Sequence, residues 1–259
     1  VNDYDSPTIY ACGFSIGVFI SLIGTFWVGE RYARGGVGDL PTDWDSNKTL
    51  LISALPFAVT LGILPYVTKL EKFLLAGLSS YDDVSLYHVA QLAWIAGLML
   101  PQAMRAALLP YLGEARDDPV KFSHRMLIAH HWTIVLLPVG LIAGHLIVSF
   151  SIPKFFDSSY SDAVEVFDIL LAGWAMTLLA IPWYVALQAG HNPWRFTSLI
   201  ALVVISAGVS GWILIPQYGV MGAAWASVFG CCIMLSFAKL LCGDVDRLSD
   251  GLAILSVVI

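Results

Sequence analysis

The chain has 259 residues, of which 58% are hydrophobic and only 12% charged, with a mean hydropathy of +0.78. A soluble domain carries about twice that charged fraction, so a soluble globular fold is excluded. The net charge of -6 argues against nucleic acid as a partner. Apolar runs recur at roughly the 20 residues that cross a bilayer core, which predicts a polytopic, all-α membrane helical bundle.

Seven complete spans are expected, at about 8–28, 50–78, 85–111, 127–150, 163–188, 196–215 and 219–242, and an eighth starts near Gly251. The first is followed by the single long polar stretch, 29–49, which holds Gly35, Gly36, Gly38 and Pro41 among charges and predicts a linker. The second and third spans exceed what a bilayer needs and should tilt, kink or project. Pro56, Pro65, Pro101, Pro110, Pro138 and Pro182 fall inside spans. Such breaks persist in lipid only where a neighbour or water satisfies the freed carbonyl.

Loops alternate between the two sides of the membrane. One side receives Arg31, Arg34, Lys48, Arg105, Arg116, Lys121, Arg125, Arg195, Lys239 and Arg247; the other receives Lys69, Lys72 and Lys154. The positive-inside rule makes the first side cytoplasmic and places residue 1 outside. With no basic leader ahead of the first run, this suggests a fragment that lacks earlier spans and is cut within a later one. The glycosylation pattern Asn47-Lys48-Thr49 then lies on the cytoplasmic side, where it goes unused. Three domains follow: 1–49, a helix plus linker; 50–242, a six-span block; and 243–259, a loop and the start of a further span.

Polar residues inside spans are functional candidates because burying them in lipid is costly. On a helical wheel of the third span, Gln91, Gln102 and Arg105 fall about 60°, 40° and 100° to one side of His88, at 100° per residue. Ile95 and Leu98 fill the middle of that face. Two readings stand: a wall touching a hydrated cavity, or His88 and Arg105 snorkelling to opposite interfaces about 25 Å apart. On the second span Lys69 and Lys72 share a face with Pro65 and Ala76, and Glu71 points about 160° from Lys69. Asp162 and Glu165 read as a capping pair opening the fifth span, while Asp168, a turn deeper, is the residue to consider for proton handling.

His130, His131 and His145 have no carboxylate or cysteine at ligand spacing beside them, so no metal site is expected. Cys12, Cys231, Cys232 and Cys242 read as small buried hydrophobes. Asp3-Tyr4-Asp5, Asp43-Trp44-Asp45 and Asp244-Val245-Asp246 read as solvated interface loops. No nucleophile elbow, phosphate loop or triad is present, and no cofactor is called for.

The stretch LIPQYGVMGAAWASVFG, Leu214–Gly230, interrupts two apolar runs at Pro216 and Gly219. It then repeats small residues at Gly222, Ala226 and Gly230. A short turn here forces antiparallel spans, and the stripe lets a helix approach closely. Leu214, Ile215, Pro216, Tyr218, Gly219, Gly222, Ala223, Ala224, Ala226 and Ser227 make this hairpin resemble that of polysaccharide-exporter flippases, in the multidrug, oligosaccharidyl-lipid and polysaccharide exporter superfamily. Lys69–Ala90 and Phe155–Trp174 also resemble family stretches. They depart from the pattern at Glu71 (Asp is usual) and at Ser85 and Asp157 (Gly is usual), and the helix before the hairpin has Ser206 and Ser210 where Asn is frequent.

The resemblance covers 50–242 and implies the carboxyl-terminal six-helix lobe of a two-lobe exporter in the cytoplasmic membrane. The implied activity is not enzymatic: a glycan on a polyprenyl phosphate or pyrophosphate would cross the bilayer by alternating access. Arg105, Gln102, Gln91, His88, Lys69 and Lys72 would hold substrate, with Glu71 and Asp168 for ion coupling or interhelical pairing. Membrane lipids and glycan-assembly proteins would be the other partners. Three alternatives remain open at this point: a multidrug extruder of the same superfamily, which would need a carboxylate-lined apolar pocket; a glycan polymerase or transferase, which would need a long outer loop with catalytic residues; and a non-transporting assembly partner, against which the intramembrane polar groups argue.

Overall fold

The computed structural model describes residues 44–156, 158–190 and 192–242. The expected first span, most of the linker, the three Asp-x-Asp matches apart from Trp44 and Asp45, Cys12, His191 and the tail from 243 lie outside the described residues. The chain divides into two units after Ser53, and the packing below concerns the second unit, from Ala54. The described residues form helices and turns only: α1 (Trp44–Ile63), α2 (Tyr66–Leu78), α3 (Tyr81–Gly97), α4 (Met99–Gly113), α5 (Pro119–Phe155), a short 3-10 turn (Ser158–Tyr160), α6 (Ala163–Ala189) and α7 (Pro193–Leu241). Among the described residues, four helical stretches are long and apolar enough to cross a membrane: Tyr81–Gly113, Pro119–Phe155, Ala163–Ala189 and Pro193–Leu241. This is a helical membrane bundle.

Helix starts follow local chemistry. Ser80 caps α3 by accepting from the Asp83 N–H at 3.2 Å, Asp118 caps α5 by accepting from the Lys121 N–H at 3.1 Å, and Asn192 caps α7 by accepting from the Trp194 N–H at 3.1 Å. Pro119 and Pro193 stand in the first turns of the last two helices, where the missing N–H is harmless. Asp162 stands at the cap position of α6 without a side-chain capping bond, so the expected Asp162–Glu165 capping pair does not form. Helix α1 begins at Trp44, inside the stretch expected to be linker, since nothing between Trp44 and Pro56 breaks a helix.

The expected second and third spans each divide in two. The first break falls at Leu64–Pro65 and the second at Leu98, three residues ahead of Pro101. Pro101 has no N–H to offer the carbonyl four residues back, which is Gly97. The indole Nε1–H of Trp174 takes its place, donating to the Gly97 carbonyl at 2.9 Å.

Within α7 the helix assignment runs through a kink at Gly219, whose φ of 55° and ψ of -128° suit glycine alone. The two arms double back on each other. A Cβ on Gly222 would lie 2.6 Å from the Leu214 carbonyl carbon, one on Gly211 would lie 3.6 Å from Ala226 Cβ, and one on Gly230 would lie 3.2 Å from Ala207 Cβ. Each facing pair has nearly the same residue-number sum, which is the signature of an antiparallel hairpin. The Gly222–Ala226–Gly230 stripe therefore packs on the preceding arm, as the small residues lead one to expect.

Helix α6 is central and packs against α3, α4, α5 and α7, while α2 packs on α7 and α3. The buried side chains form two apolar clusters. One, around Leu75, Tyr87, Val166, Leu170 and Ala223, lies toward the Leu78–Tyr81 turn and Gly219. The other, around Leu112, Phe122, Val185, Leu199 and Ala238, lies toward the opposite helix ends.

Candidate functional site

Between the two clusters, at mid-helix height, lies a cavity of about 440 Å³. Both helix breaks border it, through Leu64 and Pro65 on one side and Leu98 and Pro101 on the other. Its wall is mostly apolar, with Thr68, Glu71, Gln102, Arg105, Thr177, Tyr184 and Ser227 supplying polar groups. Broken backbone in a membrane protein is tolerated where it lines a cavity, and here both breaks do.

Arg105 and Gln102, one turn apart on α4, reach this cavity as the wheel suggested. Arg105 is half-buried and held on two sides. Its Nε–H donates to Gln188 Oε1 at 3.0 Å, and its Cζ lies 5.5 Å from the Tyr184 ring centroid. Tyr184 and Gln188 sit one turn apart near the end of α6. This arrangement leaves the guanidinium fixed as a planar fork, suited to a bidentate oxyanion.

Glu71 also lines the cavity but from α2, on the side away from Lys69 and Lys72. It is 2% exposed, and its Oε2 has no hydrogen-bond partner among the described residues. No base pairs with it there, although interhelical pairing was expected. A bare buried carboxylate is costly; a bound cation or a proton relieves that cost. Gln91 is buried beside this region, and its Nε2 donates to the Thr68 carbonyl at 2.7 Å. That bond ties α3 to α2 and gives Gln91 a packing role.

The remaining residues of the expected site lie elsewhere. Lys72 Nζ is 2.6 Å from His88 Nδ1, and both stand with Lys69 outside the cavity wall. The four polar residues of the third span are thus divided by the break at Leu98: two reach the cavity, one packs, and one is exposed. Asp168 lies outside the cavity too. Its Oδ1 is 2.8 Å from His145 Nδ1 on α5, with both side chains about half exposed.

Sequence reasoning did not find Gln188, Tyr184 or the His145–Asp168 pair. Each belongs to a different helix from its partner, and periodicity within one helix carries no information about that register. Comparison with protein-family models, with curated proteins and with solved structures finds no match.

Proposed function

We propose that this chain is the six-helix, carboxyl-terminal lobe of a transporter in the cytoplasmic membrane that moves a lipid-linked oligosaccharide across the bilayer. The observation that carries the reading is Arg105, fixed by Gln188 and Tyr184 on the wall of a largely apolar cavity. A guanidinium fork in an apolar setting suits the phosphate or pyrophosphate of a polyprenyl carrier, and the tail stays in lipid. The breaks at Pro65 and Pro101 supply hinges beside the site for alternating access with a second lobe. No covalent step is required, so the activity is transport and not catalysis. Glu71 is the candidate coupling group, since a cation or proton joining it would change the charge of the cavity wall.

A second reading draws on the same Glu71. A buried carboxylate in an apolar pocket is what an extruder of hydrophobic cations needs, and Glu71 gives this cavity such a group. Deletion of the gene separates the two. The glycan reading expects surface glycan to fall and lipid-linked intermediates to build up on the inner leaflet, with recovery on re-expression. Intact surface glycan together with new sensitivity to cationic drugs would replace it with the extruder.

A further inference from the structure

Four buried polar atoms on α2 and α3 have no hydrogen-bond partner among the described residues: Glu71 Oε2, Tyr87 Oη, Gln91 Oε1 and Trp94 Nε1. Tyr87 and Gln91 stand off the cavity lining, whereas Glu71 and Trp94 belong to it. Glu71 is 2% exposed and Trp94 5%, and they share the cavity of about 440 Å³ with Arg105. Buried polar groups left unpaired are costly, so an acceptor and a donor on one cavity wall call for a partner from outside the chain.

The backbone brings these two side chains to one level. Gln91 Nε2 donates to the Thr68 carbonyl at 2.7 Å, which sets Thr68 of α2 beside Gln91 of α3. Glu71 stands one turn past Thr68, and Trp94 one turn past Gln91. The two helices run antiparallel from the Leu78–Tyr81 turn, so Glu71 and Trp94 flank that level from opposite sides. Helical side chains lean toward the N-terminus of their own helix. Glu71 therefore leans toward Thr68 and Trp94 toward Gln91, and the two converge on the level that the Gln91 bond marks. Thr68 lines the cavity there as well.

The pairing of acceptor with donor selects the ligand. An ionised carboxylate only accepts, and an indole N–H only donates. A cation satisfies Glu71 but cannot accept from Trp94. A hydroxyl does both: its hydrogen goes to the carboxylate, and its oxygen takes the indole hydrogen. The charge on Glu71 strengthens the first of these bonds. A sugar ring offers such hydroxyls on an otherwise carbon frame, which suits a wall that is mostly apolar. The cavity also falls within the range of about 300–1,000 Å³ usual for small-molecule sites.

We propose that Glu71 and Trp94 form a hydroxyl-binding subsite for a sugar ring, in the same cavity as Arg105 and distinct from the anion site there. For the source of the sugar this rests on the transport reading above: the ring belongs to the glycan whose phosphate Arg105 holds. A free sugar carries the same hydroxyls, and the test separates the two sources.

The test uses the full chain in a sugar-free detergent and measures binding of farnesyl phosphate, of farnesyl phosphoglucose and of methyl glucoside. The readout is the sugar increment, the ratio of the affinities for the second and the first. In the unaltered chain it should be about 100-fold, roughly tenfold for each of two hydrogen bonds. Trp94→Phe keeps an aromatic ring, removes the donor and should lower the increment about tenfold. Glu71→Gln keeps an uncharged acceptor of the same shape and should retain more of the increment than Glu71→Leu. Arg105→Gln should weaken both prenyl phosphates and keep the increment. An increment near one in the unaltered chain, with farnesyl phosphate bound, overturns the subsite, leaves water alone in it and leaves the Arg105 reading standing. An increment that survives both Trp94→Phe and Glu71→Leu overturns the assignment to these residues. Methyl glucoside bound through Glu71 and Trp94, with neither prenyl phosphate bound, upholds the subsite and overturns the lipid-linked source. Binding of none of the three overturns both.

Discussion

The indole of Trp174 completes a helix to which it does not belong: its Nε1–H bonds the Gly97 carbonyl at 2.9 Å, the group left without a donor by Pro101. The ring reaches that position by lying in a notch on α5 at Gly140, where an added Cβ would stand 2.7 Å from Trp174 Cζ3. Three helices thus meet at the break beside the cavity. Trp174→Phe keeps an aromatic ring, though a smaller one, and removes the donor; loss of the bond should cost about 1–2 kcal/mol. Gly140→Ala should displace the ring and lose the same bond. Thermal unfolding of both variants and of the double variant in detergent should show a less than additive loss, because the second change finds the bond already broken. Full additivity would mean that the notch and the bond act independently.

A second test concerns the α7 hairpin. Gly219 has a backbone conformation closed to other residues, and a Cβ there would also sit 3.2 Å from Asp83 Oδ2. Gly219→Ala should cost about 1–3 kcal/mol through backbone strain. Gly222→Ala meets backbone of the facing arm at Leu214, which cannot swing aside as a side chain can. It should therefore force the arms apart, measured as lower yield of folded protein and a lower unfolding temperature. Gly77→Ala, with open space around the new methyl, should be near neutral and serves as the comparison.

Much of this fold is legible in the chain because lipid imposes a blunt rule. Apolar length predicts membrane-spanning helices, and the Tyr81–Gly113, Pro119–Phe155, Ala163–Ala189 and Pro193–Leu241 stretches have that length. Pro65 and Pro101 stand at or just after the two breaks, while Pro56, Pro110, Pro138 and Pro182 lie inside continuous helices, and Gly222, Ala226 and Gly230 mark where two arms touch. What periodicity could not supply was the partner across a helix interface. Gln188 meets Arg105 across 83 positions, and His145 meets Asp168 across 23. Those meetings depend on how α4, α5 and α6 are rotated and shifted against one another, which is set by packing of the whole bundle. On the wheel of the third span, Gln102 and Arg105 line the cavity while Gln91 and His88 do not, a division by height along the helix that a wheel cannot display.

The cap of α5 should respond to acid. Asp118 is partly exposed, and its carboxyl is held below the usual carboxylate range first by the Lys121 backbone N–H, with the Lys121 ammonium adding to it. A carboxyl with a depressed folded value stabilises the fold above its unfolded value, and that contribution is lost as pH falls through the folded value. The Lys121 amide should therefore exchange hydrogen faster as pH is lowered from neutrality through the acidic carboxylate range, after correction for intrinsic rates. Asp118→Asn still caps but cannot ionise, so its corrected protection should stay flat over the same window. An equal acid response in Asp118→Asn would assign the effect to another group.

The strongest test of the cavity is a series at Arg105 and its two supports. Arg105→Ala should abolish transport with membrane insertion and protein level nearly intact. Arg105→Lys should retain part of the activity, because the charge survives and the fork does not. Gln102→Ala, one turn away, should be milder. Gln188→Ala leaves the guanidinium charged but untethered and should lower transport by about tenfold, equivalent to about 1.4 kcal/mol for one hydrogen bond to a charged group. Gln188→Glu keeps an oxygen acceptor in place yet adds a carboxylate that competes with the substrate anion, so it should be worse than Gln188→Ala. That order is the decisive feature, since a purely structural Gln188 would tolerate Glu better than Ala. Transport per unit of inserted protein is the measurement, read as surface glycan. A snorkelling Arg105 predicts a different pattern, in which Lys substitutes fully and Ala mainly reduces insertion. Full activity of Arg105→Ala on this scale would remove the guanidinium from the site and leave Glu71 as the group around which the cavity's function must be rebuilt.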